Sequence, residues 1–179
     1  LALNTAVTEH LNRQTLVEKI LLVAAKAASA DGCFFFEVSP DKFMSLTYSN
    51  IKSLREKSVG LDNFTYFEPI SLADIRAKTS KRPSEICALN QEIVMAENIY
   101  AVDHIDTKRL AMFDEQYDYS TVSVVALPLV DSKANLIGVV QFTNATDSNG
   151  KVISFTSEVV NRLISICSLL TISLENKSL

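Results

Sequence analysis

The sequence predicts an α/β (α+β) fold in which an antiparallel central sheet carries the N- and C-terminal helices on one face. A lid of loops and one short helix is expected to cover the other face. Three observations predict this arrangement: an apolar stripe of helical period near each end, two strand pairs joined by turns, and an irregular middle. The 179 residues fit one domain, and an apolar share of 47% supplies a core without disulfides or metal. We therefore predict a single domain over residues 1–179.

The first helix is predicted over residues 16–28, where apolar residues recur at helical spacing. Thr15, or Asn12 one turn earlier, is the expected N-cap because its side-chain oxygen accepts from the exposed N–H groups of the first turn. Residues 1–14 are interpreted as the end of an upstream connecting helix. Ala30-Asp31-Gly32 is expected to end the helix, with the glycine in the left-handed conformation.

Two hairpins are predicted from runs of β-branched and aromatic residues that polar turns separate. The first joins a strand at 33–38 to a strand at 44–50, and the second joins 121–130 to 136–144. The second hairpin is the clearer one, because TVSVVALPLV and LIGVVQFTN flank its turn. These hairpins supply the long strands of the sheet.

The middle of the chain is expected to hold short elements and the lid. These are a possible strand at 64–70, a helix at 84–89 that Pro83 opens and a left-handed Asn90 ends, a short strand at 93–95, and a loop-rich lid at 98–120. A last helix over 156–179 begins at the N-cap Thr156 and is interpreted as a signalling helix.

Composition narrows the classes of partner and compartment. The net charge is −4, and the densest basic group, at 78–82, is too small to follow a phosphate backbone, so nucleic acid is not an expected partner. No secretory signal and no run of 18 apolar residues occurs, so we expect a cytoplasmic location and no membrane contact by this segment. The cysteines are odd in number and lack C-x-x-C spacing, which argues against a disulfide framework and a structural zinc and predicts buried free thiols: Cys33, Cys87 and Cys167. No cofactor and no metal are expected.

Several short motifs occur in an order that resembles the GAF family along most of the chain. In the first half they are Ala30-Asp31 before a hydrophobic strand, Ala88-Leu89-Asn90-Gln91-Glu92-Ile93-Val94 (similar to a-l-t-G-e-x-v), and Asn98-Ile99 with Asp103 (similar to n-I-p-D). In the second half they are Phe113-Asp114 ahead of Tyr119, Thr121 and Ser123, then Leu127-Pro128-Leu129, Ile137-Gly138-Val139-Val140-Gln141-Phe142 with Asn144, and Phe155-Thr156-Ser157-Glu158. The resemblance implies a GAF/PAS-like fold.

The Phe113-Asp114 segment further resembles the branch found in phosphodiesterases, some cyclases and bacterial phosphodiesterase-like regulators, some of which bind cyclic nucleotides. That resemblance implies a pocket between sheet and lid, with these ligand-binding residues: Phe34, Tyr48, Ser49, Cys87, Phe113, Asp114, Tyr117, Thr121 and Gln141. The sequence departs from the branch where Tyr117-Asp118 replaces Thr-Gly, Gln141 replaces a glutamate and Leu110 replaces a phenylalanine. The identity of the ligand stays open: it is either a cyclic nucleotide or another small molecule.

No enzymatic activity is expected. His10 and His104 are the only histidines, and neither lies in a pattern that pairs a nucleophile with a base and an orienting group. GAF domains that reduce free methionine sulfoxide use clustered cysteines, which the three distant cysteines of this chain do not reproduce. We expect a regulatory sensory domain of a larger signalling protein, joined to an output domain outside this sequence, that forms a homodimer through its terminal helices and transmits ligand binding through them.

The alternative is a dimerisation and signal-relay module whose pocket is degenerate and binds no ligand. A lid interior filled by Phe113 and Tyr117 would favour this alternative, whereas an open cavity with polar lining would favour sensing.

Overall fold

A computed structural model describes residues 2–61 and 67–177 of the chain. Within these ranges six α-helices and seven strands follow one another, with one turn of 3-10 helix at Ile99–Ala101 between β4 and α5. Their bounds are α1 Ala2–Ala27, β1 Ala30–Val38, β2 Phe43–Ile51, α2 Lys52–Glu56, β3 Ile70–Ser71, α3 Leu72–Ala77, α4 Pro83–Asn90, β4 Val94–Ala96, α5 Lys108–Tyr117, β5 Val124–Val130, β6 Leu136–Thr146, β7 Val152–Ile153 and α6 Ser157–Lys177.

The strands form one antiparallel sheet in the order β3-β2-β1-β6-β5-β4, and β7 pairs with the end of β6. Both predicted hairpins are present, as β1–β2 and β5–β6, and β1 pairs with β2 on one side and β6 on the other. Successive side chains of a strand point to opposite faces. Phe34 therefore faces one side of the sheet and Phe35 the other, and each belongs to a different core cluster. The predicted fold class is confirmed.

One face of the sheet, here called the terminal-helix side, is covered by α1 and α6, which also pack against each other. Its cluster is mostly aliphatic, and residues with no exposed surface come from both helices and the sheet: Leu21, Phe35, Val140, Leu163 and Leu170. The stretch Ser157–Asn176 of α6 is long and apolar enough to cross a membrane by length and composition, and 33% of it is buried inside the domain. The same composition suits a helix that packs on a core.

The opposite face, here called the lid side, is covered by α4, α5 and the shorter elements between β2 and β4. Its cluster is richer in aromatic rings and includes Phe34, Phe36 and Phe113. The terminal helices therefore cover one face of the sheet and the lid covers the other, as predicted.

Both predicted boundaries of the first helix are wrong. The helix α1 runs without interruption from Ala2 to Ala27, so neither Thr15 nor Asn12 caps it. No glycine or proline interrupts residues 2–15, so nothing in the chain stops the helix there. That residues 1–14 connect to an upstream segment stays a prediction.

The end of α1 also differs from the prediction. Ser29 takes the left-handed conformation, with φ of 48°, and Ala30-Asp31-Gly32 already belongs to β1. Gly32 is required for another reason, because a β-carbon there would clash with the hydroxyl of Thr143 on β6. At the end of α4 the left-handed residue is Gln91, one position beyond the predicted Asn90.

The lid is more helical than predicted. Residues 108–117, predicted to be loop-rich, form the helix α5. The physical reason is that Leu110, Phe113 and Tyr117 recur at helical spacing between polar residues. The helices α2 and α3 were not predicted. Of the strand predicted at 64–70, residues 64–66 lie outside the described ranges, and residue 70 begins β3.

Candidate functional site

The centre of the lid side is a group of aromatic rings between β1 and α5. The ring of Phe113 lies 6.3 Å from that of Phe34, 4.9 Å from that of Tyr117 and 6.2 Å from that of Tyr119, measured between centroids. The contacts with Phe34 and Tyr119 are edge-to-face, the geometry that aromatic pairs favour. These rings pack the space between the sheet and α5.

Gln141 lies at the centre of the sheet on this same side. Its register partners are Phe34 on β1 and Ala126 on β5, both members of the lid-side cluster. Its side chain is 1% exposed, and its Nε2 makes no hydrogen bond to another described residue. A buried donor without an acceptor costs about 1–3 kcal/mol. This donor is therefore available to a partner that the described residues do not supply.

Asp114 and Thr121, both predicted to bind ligand, are bonded to each other. The carboxylate of Asp114 accepts from the Thr121 N–H at 2.9 Å, from the Thr121 hydroxyl at 2.8 Å and from the Tyr100 hydroxyl at 2.7 Å. Both carboxylate oxygens are occupied by these donors. In this structure the pair holds the end of α5 to the segment that leads into β5.

The remaining predicted residues fall on both sides of the sheet. Cys87 is buried in α4 on the lid side, and burial raises the pKa of its thiol to about 12. Ser49 is the β2 register partner of Phe34, at the rim of the same side. Tyr48 pairs with Phe35 and packs against the terminal-helix cluster, because the two-residue period of β2 turns it away from Ser49. Tyr48 therefore does not share a site with the others.

A polar network at the end of the lid was not found from the sequence. The Tyr119 hydroxyl donates to Asp31 at 2.8 Å and accepts from the Asn144 amide at 3.1 Å, and Ser53 donates to Asp31 from its N–H and its hydroxyl. Burial and the Asp31 carboxylate raise the pKa of Tyr119, so this phenol stays protonated. Asp31, Tyr119 and Asn144 each belong to a motif quoted from the sequence, but their spacing did not show that they contact one another.

A buried ion pair fixes the start of α4 on the same side. Glu85 has no exposed surface, and its carboxylate accepts from Lys78 Nζ at 2.7 and 2.9 Å and from the Arg82 N–H at 2.8 Å. The Arg82 guanidinium also lies 4.7 Å above the ring of Phe67. The basic group at 78–82 therefore anchors the lid, a role that sequence spacing did not reveal.

Three cavities lined by described residues lie away from these rings. A groove of about 470 Å³ separates β5 from α6, a cleft of about 1010 Å³ lies where the two hairpin turns meet the terminal helices, and a third of about 280 Å³ lies between α1 and Tyr48. Within residues 2–61 and 67–177, no group of three or more histidine, cysteine or acidic residues is placed to hold a metal ion.

No protein-family model matches the chain, and none of the curated proteins compared with it is similar in sequence. Solved structures of similar fold include the GAF domain region of a protein from Geobacter sulfurreducens PCA, with a TM-score of 0.66, 12% identity, and coverage of 96% of this chain and 98% of that one. The type II free methionine-R-sulfoxide reductase from Thermoplasma acidophilum matches with a TM-score of 0.61 at 15% identity, covering 94% of this chain and 95% of that one. The cyanobacteriochrome receptor PixJ matches with a TM-score of 0.59 at 12% identity, covering 93% and 97%.

The chain therefore has the fold of the GAF domains. That fold serves a receptor and an enzyme among these three structures, so the function must be argued from the site. That the chain resembles the phosphodiesterase and cyclase branch in particular stays a prediction.

Proposed function

We propose that this chain is a regulatory domain that binds a small molecule on the lid side of its sheet and relays the binding through α1 and α6. The observation that carries the proposal is Gln141, whose amide is buried on the lid side of the sheet with an Nε2 that no described residue satisfies. Buried polar groups are normally hydrogen-bonded, and an exception calls for an explanation such as strain, a functional role or a bound water or ion. A ligand with an acceptor atom at this position would satisfy the amide.

The surroundings define the class of ligand. Phe34 and Phe113 offer ring surfaces, and Gln141 offers a hydrogen-bond donor between β1 and β5. A planar heterocycle with a carbonyl or ring-nitrogen acceptor fits these groups, and the base of a cyclic nucleotide is one such heterocycle. Because the rings of Phe113 and Tyr117 occupy the space above the sheet, binding requires α5 to move outward. The ligand would thus select a lid-open population.

The strand β1 connects this side to the terminal helices. Phe34 packs under the lid, while the neighbouring Cys33 and Phe35 belong to the cluster that α1 and α6 cover. A shift of β1 that accommodates a ligand therefore changes the packing of the output helices. Close-packed cores transmit such shifts because they contain few voids.

The first half of α1 offers a surface for a second copy of the chain. Residues 2–12 are exposed, and Leu3, Val7 and Leu11 form an apolar stripe at four-residue spacing, with exposures of 76%, 51% and 55%. Such a stripe on an isolated helix is stabilised when it packs against another helix. We propose a homodimer through this stripe, linked to an output domain in a longer cytoplasmic protein.

A thermal-shift screen tests the sensing proposal, with cyclic nucleotides, other nucleotides, free bases and amino acids as probes. At 100-fold excess over its dissociation constant, a ligand of the native state adds about 2.7 kcal/mol of stability. Gln141→Met should abolish this shift while leaving the ligand-free protein as stable or about 1 kcal/mol more stable. Tyr48→Phe, on the opposite face, is the matched control and should respond like the unaltered chain. The proposal is contradicted if no probe stabilises the protein, or if Gln141→Met retains the shift.

The second candidate is the ligand-free dimerisation and relay module. Filling of the lid interior by Phe113 and Tyr117 favours it. Sedimentation equilibrium of Val7→Asp should then show a monomer, because the charge falls within the apolar stripe. Val23→Asp is the control, since Val23 is 59% exposed on another side of α1. A dimer that Val7→Asp disrupts, together with a thermal-shift screen without hits, would establish this second function.

A further inference from the structure

We propose that Asp31 is a positioning residue that couples the lid to the junction of α1 with β1 and to the start of α2. The inference deepens the proposed function, on which its regulatory meaning rests, by naming the contact that senses the position of the lid. Asp31 lies in β1 four positions after the last residue of α1, and its side chain is partly buried.

One carboxylate joins three elements at this point. Asp31 Oδ1 accepts from the Ser53 N–H at 3.0 Å, and Oδ2 accepts from the Ser53 hydroxyl at 2.6 Å and from the Tyr119 hydroxyl at 2.8 Å. Ser53 belongs to the first turn of α2, and Tyr119 follows α5. Hydrogen bonds to a charged acceptor are about twice as strong as those between neutral groups. The two hydroxyls share Oδ2, so a change in one contact alters the acceptor that the other uses.

The helix α2 depends on this carboxylate. The first N–H groups of a helix have no partner within the helix, and Ile51 at the N-cap has no side-chain acceptor to offer. Asp31 takes that role from the neighbouring strand by accepting from Ser53. If Asp31 turns away, the start of α2 loses its cap.

The lid reaches the same carboxylate through Tyr119. The Tyr119 ring lies edge-on to Phe113 of α5, and its hydroxyl also accepts from Asn144, which holds the segment 119–122 to β6. An outward movement of α5 would carry Phe113 away and draw the Tyr119 hydroxyl from Asp31. The same movement is the one that ligand entry requires.

The alternative is that Tyr119 and Ser53 contact Asp31 independently, as two local hydrogen bonds. Coupling and independence differ in reciprocity: if the lid affects α2 through Asp31, a change in α2 must affect the lid by the same free energy. Both directions are open to measurement without any ligand.

Amide hydrogen exchange of the ligand-free chain, followed residue by residue, tests the coupling. Tyr119→Phe should raise the opening of the Ser53 amide about tenfold, in line with loss of one hydrogen bond to a charged acceptor. Ser53→Ala should reciprocally raise exchange in the segment 119–122. Glu158→Gln is the control, because it breaks an exposed ion pair within α6 and removes no hydrogen bond to Asp31, so the Ser53 amide should not change.

Unchanged or slower exchange at Ser53 in Tyr119→Phe, with faster exchange confined to 119–122, would overturn the proposal. Asp31→Asn provides a second test, since it keeps the shape of the side chain but removes the negative charge to which both Ser53 and Tyr119 donate. In that background Tyr119→Phe should no longer affect Ser53, and a persisting effect would also contradict the proposal. Because no ligand is used, failure of this coupling leaves the ligand screen intact, and a screen without hits leaves the coupling intact.

Discussion

The two faces of the sheet are covered by different kinds of side chain. The terminal-helix side is dominated by aliphatic side chains such as Leu21, Leu163 and Leu170, which have no exposed surface. The lid side combines aromatic rings with a buried carboxylate, Glu85, and a buried amide, Gln141. Apolar packing needs no particular partner geometry beyond shape, whereas buried polar groups cost stability unless they are satisfied. Packing on the terminal-helix side therefore depends on shape alone, whereas packing on the lid side also depends on which polar groups are paired.

The largest expected effect compares neighbouring phenylalanines on β1. Phe35→Ala removes a ring with no exposed surface from the terminal-helix side, and we expect a loss of about 4 kcal/mol in the free energy of unfolding. Phe34→Ala, on the lid side, should cost about 1 kcal/mol less, because the cost of a cavity depends on how far its surroundings collapse and we expect α5 to move inward. Urea denaturation measures both values. An equal or larger cost at Phe34 would contradict the view that the lid side adapts more easily.

The next effect concerns the charge buried under the lid. Glu85→Gln leaves Lys78 without its buried partner, and we expect a cost of about 3 kcal/mol. The control is Glu158→Gln, which breaks an exposed pair with Arg162 on α6 and should cost less than about 0.5 kcal/mol. Denaturation at low and high salt checks both, since only the exposed pair should be screened. A small cost for Glu85→Gln would show that the pair does not anchor α4.

Both faces contain a thiol whose ionisation the fold suppresses. Burial raises the pKa of Cys87 on the lid side and the pKa of Cys167 on the terminal-helix side to about 12. The unfolded chain releases these protons above its lower pKa of about 8.5, while the native state keeps them. Stability is therefore unaffected below that pH and falls as pH rises toward 12, by about 1.4 kcal/mol per pH unit for each thiol. Urea denaturation from pH 8 to 11 should show a smaller slope in Cys87→Ala than in the unaltered chain, and an identical slope would contradict the prediction.

The smallest effect is expected at the start of α6. The Thr156 hydroxyl accepts from the Val159 N–H at 3.2 Å, as its predicted N-cap role requires. Thr156→Ala should lower the free energy of unfolding by about 1 kcal/mol, and Thr156→Ser should restore most of it. Thermal denaturation of both variants measures this difference. Equal loss in the serine variant would show that the methyl group, and not the hydroxyl, matters at this position.

Elements with strong local signals were predictable from the sequence. Both hairpins, the helix that Pro83 opens and the Thr156 cap follow from residues near one another in the chain. The helix α5 was missed because its short apolar spacing is diluted by polar residues, and its stability depends on rings that pack from β1. The predicted role of Gly32 as a left-handed helix end was wrong. The glycine is needed because Thr143, which lies far along the chain, leaves no room for a β-carbon there.

The candidate site divides in the same way. The resemblance to known motifs supplied Phe34, Phe113 and Gln141, which the structure brings together on the lid side. It did not reveal that Tyr48 faces the terminal helices or that Asp114 and Thr121 satisfy each other. Strand facing depends on register, and hydrogen-bond satisfaction depends on which donors the fold places within reach.

The sequence by itself determined the fold class, the long strands and the separation of helical ends from a polar middle, because hydrophobic periodicity and turn chemistry are local properties of the chain. Only the tertiary structure decided which polar groups are satisfied: Asp31 with Tyr119, Glu85 with Lys78, and Gln141 with no described partner for its Nε2. The physical reason is that a hydrogen bond is decided within about 3 Å, a scale at which residues distant in sequence meet only after the sheet and helices have packed.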